Sequence, residues 1–180
     1  PPRSTLFPYT TLFRSIEKIL SIPLVDRYAI QQRKLKVVVD GVNSAGGVFV
    51  PQLLKQLGVE DIELIHCQPN GWFAHNPEPL PVNLQDLCKK VKNTGADLGI
   101  AVDPDVDRLV FVDEKGELFG EEYTLVAVAD YVLGLNKSAV VSNLSSSRAL
   151  GDVAEKHGCR YYASAVGEVN VTEIMKRTDA

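Results

Sequence analysis

The sequence predicts an α/β protein of mixed, largely parallel sheets flanked by helices, arranged as three-layer αβα units. Three observations carry this. Short apolar runs such as Val37-Val38-Val39 and Leu98 to Val102 read as strands buried on both faces. Between them lie amphipathic stretches of helical period, roughly 10–15 residues long, in the alternation of α/β units. Glycines such as Gly41, Gly58, Gly95 and Gly158 stand where one element gives way to the next.

Taken in order, residues 1–15 (PPRSTLFPYTTLFRS) show neither helical nor strand periodicity and repeat Thr-Leu-Phe. They resemble the translation of a sequencing adapter, or a disordered terminus, and are set apart from the fold. Ile16 to Pro23 is a short amphipathic segment ending before a proline. Lys36 to Asp40 is a strand stopped by Gly41. Gly46 and Gly47 open a helix with Val50, Leu53, Leu54 and Leu57 on one face and Gly58 at its end. Ile62 to Ile65 is a strand, and the proline-rich stretch Pro69 to Pro81 is a loop. Asn83 caps a helix that stops near Gly95. Leu98 to Val102 and Leu109 to Val112 are strands, with Glu117 to Phe119 following a turn. A helix covers 121–135. A second cycle follows: strand from Ala139, helix 147–157, strand Arg160 to Ser164, and a helix from about Val169.

Composition narrows the function. The 180 residues are 45% hydrophobic and 23% charged, the ordinary proportions of a globular chain. Nineteen Lys and Arg against 23 Asp and Glu give a net charge of -4 without a basic run, which argues against a nucleic-acid partner. No stretch approaches the roughly 18 apolar residues of a membrane span. Cys67, Cys88 and Cys159 are too few and too scattered for a disulfide framework, so a cytoplasmic setting is expected.

Chemistry concentrates in Asp103-Pro-Asp105-Val-Asp107-Arg108, between two apolar strands. Carboxylates at i, i+2 and i+4 in one tight loop repel each other unless a divalent cation neutralises them. Hard oxygen ligands favour Mg2+ or Mn2+ over zinc. Arg108 can address phosphate oxygens held by the same metal, so the loop points to metal-assisted phosphoryl chemistry. An EF-hand does not fit, since Arg108 stands where glycine is needed and strands flank the loop. A haloacid-dehalogenase-like phosphatase remains the alternative, with Asp103 as nucleophile, Asp105 as acid and Ser142 as the later hydroxyl. A non-catalytic metal- or phosphosugar-binding module is the other.

Asp103-Pro-Asp-Val-Asp-Arg-Leu109 resembles the metal loop of the α-D-phosphohexomutases, the family of phosphoglucomutase and phosphomannomutase. Glycine usually fills both spacer positions there, where this chain has Pro104 and Val106. Val39 to Gly47, Asn76-Pro-Glu-Pro-Leu80 and Gly120 to Leu125 resemble the same family's second domain. Ala165-Val-Gly-Glu-Val-Asn170 resembles the opening of its third. The resemblance implies a Mg2+-binding domain over 16–135, an incomplete start of the next over 136–180, and further domains of the same polypeptide missing. It implies that Asp103, Asp105 and Asp107 hold Mg2+ and that Arg108 steadies a phosphoryl group. That group passes between a phosphoserine and a hexose phosphate by way of a bisphosphosugar. The family's catalytic Ser-His-Asn-Pro is matched only by Ala74-His75-Asn76-Pro77, which has no nucleophile, so the chain alone is expected to be inactive.

Weaker candidates have structural explanations. Gly41 to Gly47 lacks dinucleotide-binding spacing and reads as a turn into a helix. Ser145-Ser146-Ser147-Arg148 reads first as capping and second as a phosphate site. Glu121 and Glu122 suit a first helical turn. Gly167-Glu168 is not assigned the family's sugar-binding role. Trp72 and Phe73 are loop anchors or domain-facing residues. His66, His75, His157 and the cysteines are assigned no chemistry.

Overall fold

Alternation along a single strand sets the layers. The computed structural model describes residues 9–180, and the chain divides into two units, one ending at Phe119 and one running from Gly120 to Ala180. The first contains α1 (Tyr9–Leu20), α2 (Arg27–Arg33), β1 (Lys36–Asp40), α3 (Gly46–Leu57), β2 (Asp61–Ile65), α4 (Gln85–Thr94), β3 (Leu98–Val102) and β4 (Leu109–Val112). Val37 and Val39 on β1 face a cluster with Val50 and Leu54 of α3 and Ile100 and Val102 of β3. Val38 points the other way, to Leu87 and Val91 of α4, Ala101, Val110 and Val112. One strand thus feeds two cores, and a helix covers each face. This accounts for the unbroken valine run. All three valines are at most 1% exposed, and each such burial is worth about 1.5–3 kcal/mol.

The sheet order is β2-β1-β3-β4. β1 runs parallel to β2, with Val38 opposite Glu63, and parallel to β3, with Val38 opposite Gly99. β4 is antiparallel to β3, with Val102 opposite Leu109. The C-terminal ends of β1, β2 and β3 therefore lie along one edge. Gly47 lets α3 start close against that edge, since a Cβ there would come within 2.7–2.9 Å of the Cys67 backbone. Left-handed Gly58 and Gly95 end α3 and α4 as foreseen.

The second unit holds α5 (Glu121–Leu135), β5 (Val140–Asn143), α6 (Ala149–Lys156), β6 (Tyr161–Ser164) and α7 (Glu168–Thr178). β5 and β6 pair in parallel, Val140 opposite Tyr161. Leu150 and Ala154 of α6 and Leu133 of α5 are buried.

Three details differ from the sequence reading. Residues 1–8 lie outside the described residues, but α1 starts at Tyr9, within the segment set apart from the fold. Its inner face is Ile16, Ile19 and Leu20, at helical spacing, and Ile16 is buried. Asn83 does not cap α4: its side-chain amide donates to the Glu78 carbonyl at 2.8 Å, and Leu84 is the capping residue. The division falls after Phe119, not after residue 135, because α5 packs on α6, with Lys156 and His157 both reaching Asp130 of α5. Among the described residues no helix is long and apolar enough to cross a membrane.

Candidate metal centre

The antiparallel turn from β3 to β4 throws residues 103–108 beyond the C-terminal end of β3. Asp103 is 8% exposed. Its Oδ1 accepts the amides of Asp107 and Arg108, each at 3.0 Å, which folds the loop back over its own first residue. Val106 stands at the crest with φ +66, in the left-handed region that a β-branched residue rarely enters. From the neighbouring turn between β1 and α3, Ser44 donates its hydroxyl to the Pro104 carbonyl at 2.7 Å.

This folding brings the three predicted carboxylates together: ligand oxygens of Asp103, Asp105 and Asp107 all lie within 4.8 Å of one another. The crowding has an electrostatic signature. Asp107 is pushed above the ordinary carboxylate range by the charge of Asp105, then by its contact with Asp103. Asp103 feels burial, which pushes it up. The Arg108 amide, the Asp105 and Asp107 side chains and the Asp107 amide together outweigh this and hold it low. Three convergent oxygens from hard carboxylates, two of them exposed, fit a Mg2+ ion that keeps several waters. Arg108 pairs its guanidinium with Glu78 on the proline-rich loop and stays half exposed.

Ser142 lies in the second unit on β5, buried, 3.0 Å from the Tyr161 hydroxyl. The serine run is organised by Asn143, whose Oδ1 accepts the Ser145 amide and hydroxyl at 2.9 and 2.6 Å. Glu122 accepts the Ser147 amide at 2.9 Å. Trp72 is 81% exposed, and its carbonyl accepts the Asn43 side chain. Gly41 to Gly47 is a turn into α3, as foreseen.

One constellation escaped the sequence reading. Asp40, at the end of β1 and 1% exposed, receives His66 Nδ1 and His75 Nε2 on the same Oδ2, each at 3.1 Å. Its Oδ1 accepts the Val42 amide at 3.0 Å. The three residues are separated by a helix and a loop. The one local hint was an aspartate closing a buried apolar strand.

Comparison with known proteins decides the family. The family model described as phosphoglucomutase/phosphomannomutase, alpha/beta/alpha domain II, matches residues 14–116, and that of domain III matches residues 120–180. The chain belongs to the phosphoglucomutase/phosphomannomutase family. It is 39% identical over 153 residues to a phosphoglucomutase/phosphomannomutase of Thermococcus kodakarensis, covering 84% of this chain and 33% of that protein. It is 38% identical over 171 residues to a phosphomannomutase/phosphoglucomutase of Pseudomonas putida, covering 89% and 37%. The chain thus spans about a third of the length of these curated relatives. A solved phosphoglucomutase/phosphomannomutase family protein from Burkholderia thailandensis superposes with a TM-score of 0.74 at 29% identity, covering 94% of this chain and 36% of that one. The Paramecium phosphoglucomutase parafusin shares the fold, with a TM-score of 0.71 at 20% identity over 93% of this chain and 31% of that one. In phosphoglucomutase/phosphomannomutase terms, the two units described above correspond to the stretches matched as domains II and III.

Proposed function

We propose that this chain supplies the Mg2+-binding loop of a phosphohexomutase interconverting hexose 1-phosphates and hexose 6-phosphates. The observation that carries the reading is the convergence of Asp103, Asp105 and Asp107 within 4.8 Å on a loop followed directly by Arg108. Bound there, Mg2+ would neutralise the carboxylates and draw charge from phosphoryl oxygens. Asp103 serves as the anchor: one oxygen is committed to two amides, which fixes its other oxygen for the cation. Asp105 and Asp107 complete the set from the exposed side. Arg108 is permanently charged and half exposed, so it can exchange Glu78 for an oxygen of the transferring phosphoryl group.

The donor phosphoserine and most of the sugar site belong, on this reading, to other domains of the same polypeptide. Ala74 before His75-Asn76-Pro77 offers no hydroxyl. The chain by itself therefore holds metal without turning over substrate. Calorimetric titration of the chain with Mg2+ tests this, alongside an Asp105→Asn/Asp107→Asn variant and an assay with glucose 1-phosphate. Binding by the parent, its loss in the variant and no turnover are expected. Turnover by the purified chain, or Mg2+ binding indifferent to both substitutions, would overturn the reading.

A further inference from the structure

The cluster of Asp40, His66 and His75 poses a problem of lone pairs. His75 Nδ1 lies 2.8 Å from the Asn76 carbonyl, which can only accept, so that nitrogen carries the proton. In a neutral imidazole Nε2 is then bare, yet it faces the Asp40 carboxylate at 3.1 Å. Two lone pairs so placed need a cation between them, a second proton or a metal ion. His66 Nδ1 reaches the same Oδ2 at 3.1 Å, so three ligand atoms converge within 4.8 Å.

We propose that Asp40, His66 and His75 form a second cation site, taking a divalent transition metal of the zinc type. Two imidazoles and one carboxylate are the donor set of three-ligand zinc sites that leave a fourth position open. Metal–ligand bonds of about 2.0–2.1 Å at tetrahedral angles place ligand atoms about 3.3 Å apart, close to the 3.1 Å that separates Asp40 Oδ2 from each imidazole. Imidazole nitrogen favours zinc, cobalt or copper over Mg2+, which separates this site chemically from the acidic loop. The Asn76 carbonyl on His75 Nδ1 is the outer-shell partner that fixes tautomer and ring orientation at metal-bound histidines. Asp40 is 1% exposed, and its Oδ1 is already taken by the Val42 amide, which leaves Oδ2 to face the two imidazoles. His66 borders a cavity of about 400 Å³ lined also by Asn43, Leu64, Cys67 and Gln68.

The inference is independent of the phosphohexomutase reading, and its test keeps the two apart. The full chain, free of any histidine tag, is titrated with zinc and with cobalt(II) in excess Mg2+, in the Asp105→Asn/Asp107→Asn background. Cobalt should give visible d–d absorption in that background. His66→Asn, chosen because asparagine tolerates the φ of +50 at this position, should weaken zinc binding by at least the roughly 10- to 100-fold that outer-shell changes cost. His75→Gln should do the same, and a far-UV spectrum establishes that each variant is folded. Should His75→Gln fail to fold, His66→Asn alone decides. Absence of transition-metal binding in this background, or binding unchanged by His66→Asn, would overturn the site and leave an ordinary hydrogen-bonded cluster.

Discussion

Ser44 and Pro104 are 60 residues apart in the chain and joined by a 2.7 Å hydrogen bond from hydroxyl to carbonyl. The bond ties the turn after β1 to the acidic loop after β3, at the edge where the parallel strands end. A single such bond contributes only about 0.5–1.5 kcal/mol. Its importance is positional, since it pins the carbonyl directly between Asp103 and Asp105.

The loop carries a backbone cost at Val106. A left-handed conformation costs a residue with a Cβ roughly 1–2 kcal/mol. Val106→Gly relieves this and loses chain entropy and some packing against the α3-side core. Val106→Ala loses the packing and keeps the strain. The thermal midpoint of Val106→Gly should therefore lie above that of Val106→Ala, as measured by differential scanning fluorimetry. The reverse order would mean that packing, not backbone strain, governs the crest of the loop.

Gly47→Ala should be damaging. The added Cβ would meet backbone atoms of Cys67 at 2.7–2.9 Å, and backbone cannot swing aside as a side chain can. Helix α3 must then move off the end of β2. Overpacking of this kind costs about 1–3 kcal/mol, or about 2–4 °C of midpoint per kcal/mol in a chain of this size. A midpoint within a degree of the parent would show that α3 has room to shift.

Acid should weaken the second unit through Asp130. Its carboxylate is held below the ordinary value of about 3.8, first by the Lys156 ammonium and then by His157. A depressed folded-state pKa contributes stability that is present above the unfolded value and lost as pH falls through the folded one. Asp130→Asn should therefore lower the midpoint near neutrality, and its difference from the parent should vanish in that acidic window. A difference constant with pH would trace the effect to packing instead.

Much of this was readable from local pattern. β1, α3, β3 and β4 have the bounds that the apolar runs and Gly46 and Gly58 implied, because burial on both faces and a left-handed stop are written in adjacent residues. The acidic loop was legible for the same reason: its three carboxylates lie within five positions. Asp40, His66 and His75 were not, since 26 and 35 residues separate the partners and only the parallel pairing of β1 with β2 brings the first two together. Asn83 shows another limit. A favourable capping residue was drawn instead into the turn with Glu78, a competition that position in the sequence does not reveal.

The pairing of β4 with β3 has a kinetic consequence. It joins strands whose ends, Val102 and Leu109, are close in the chain, whereas β1 must find β2 and β3 across whole helices. Short-range pairs close first because they lose least chain entropy. Here the segment that closes is the acidic loop itself, so the earliest hairpin forms against the mutual repulsion of Asp103, Asp105 and Asp107. If the loop holds Mg2+ as proposed, the cation would offset this repulsion, so that binding at the loop and closure of the β3–β4 hairpin would favour each other.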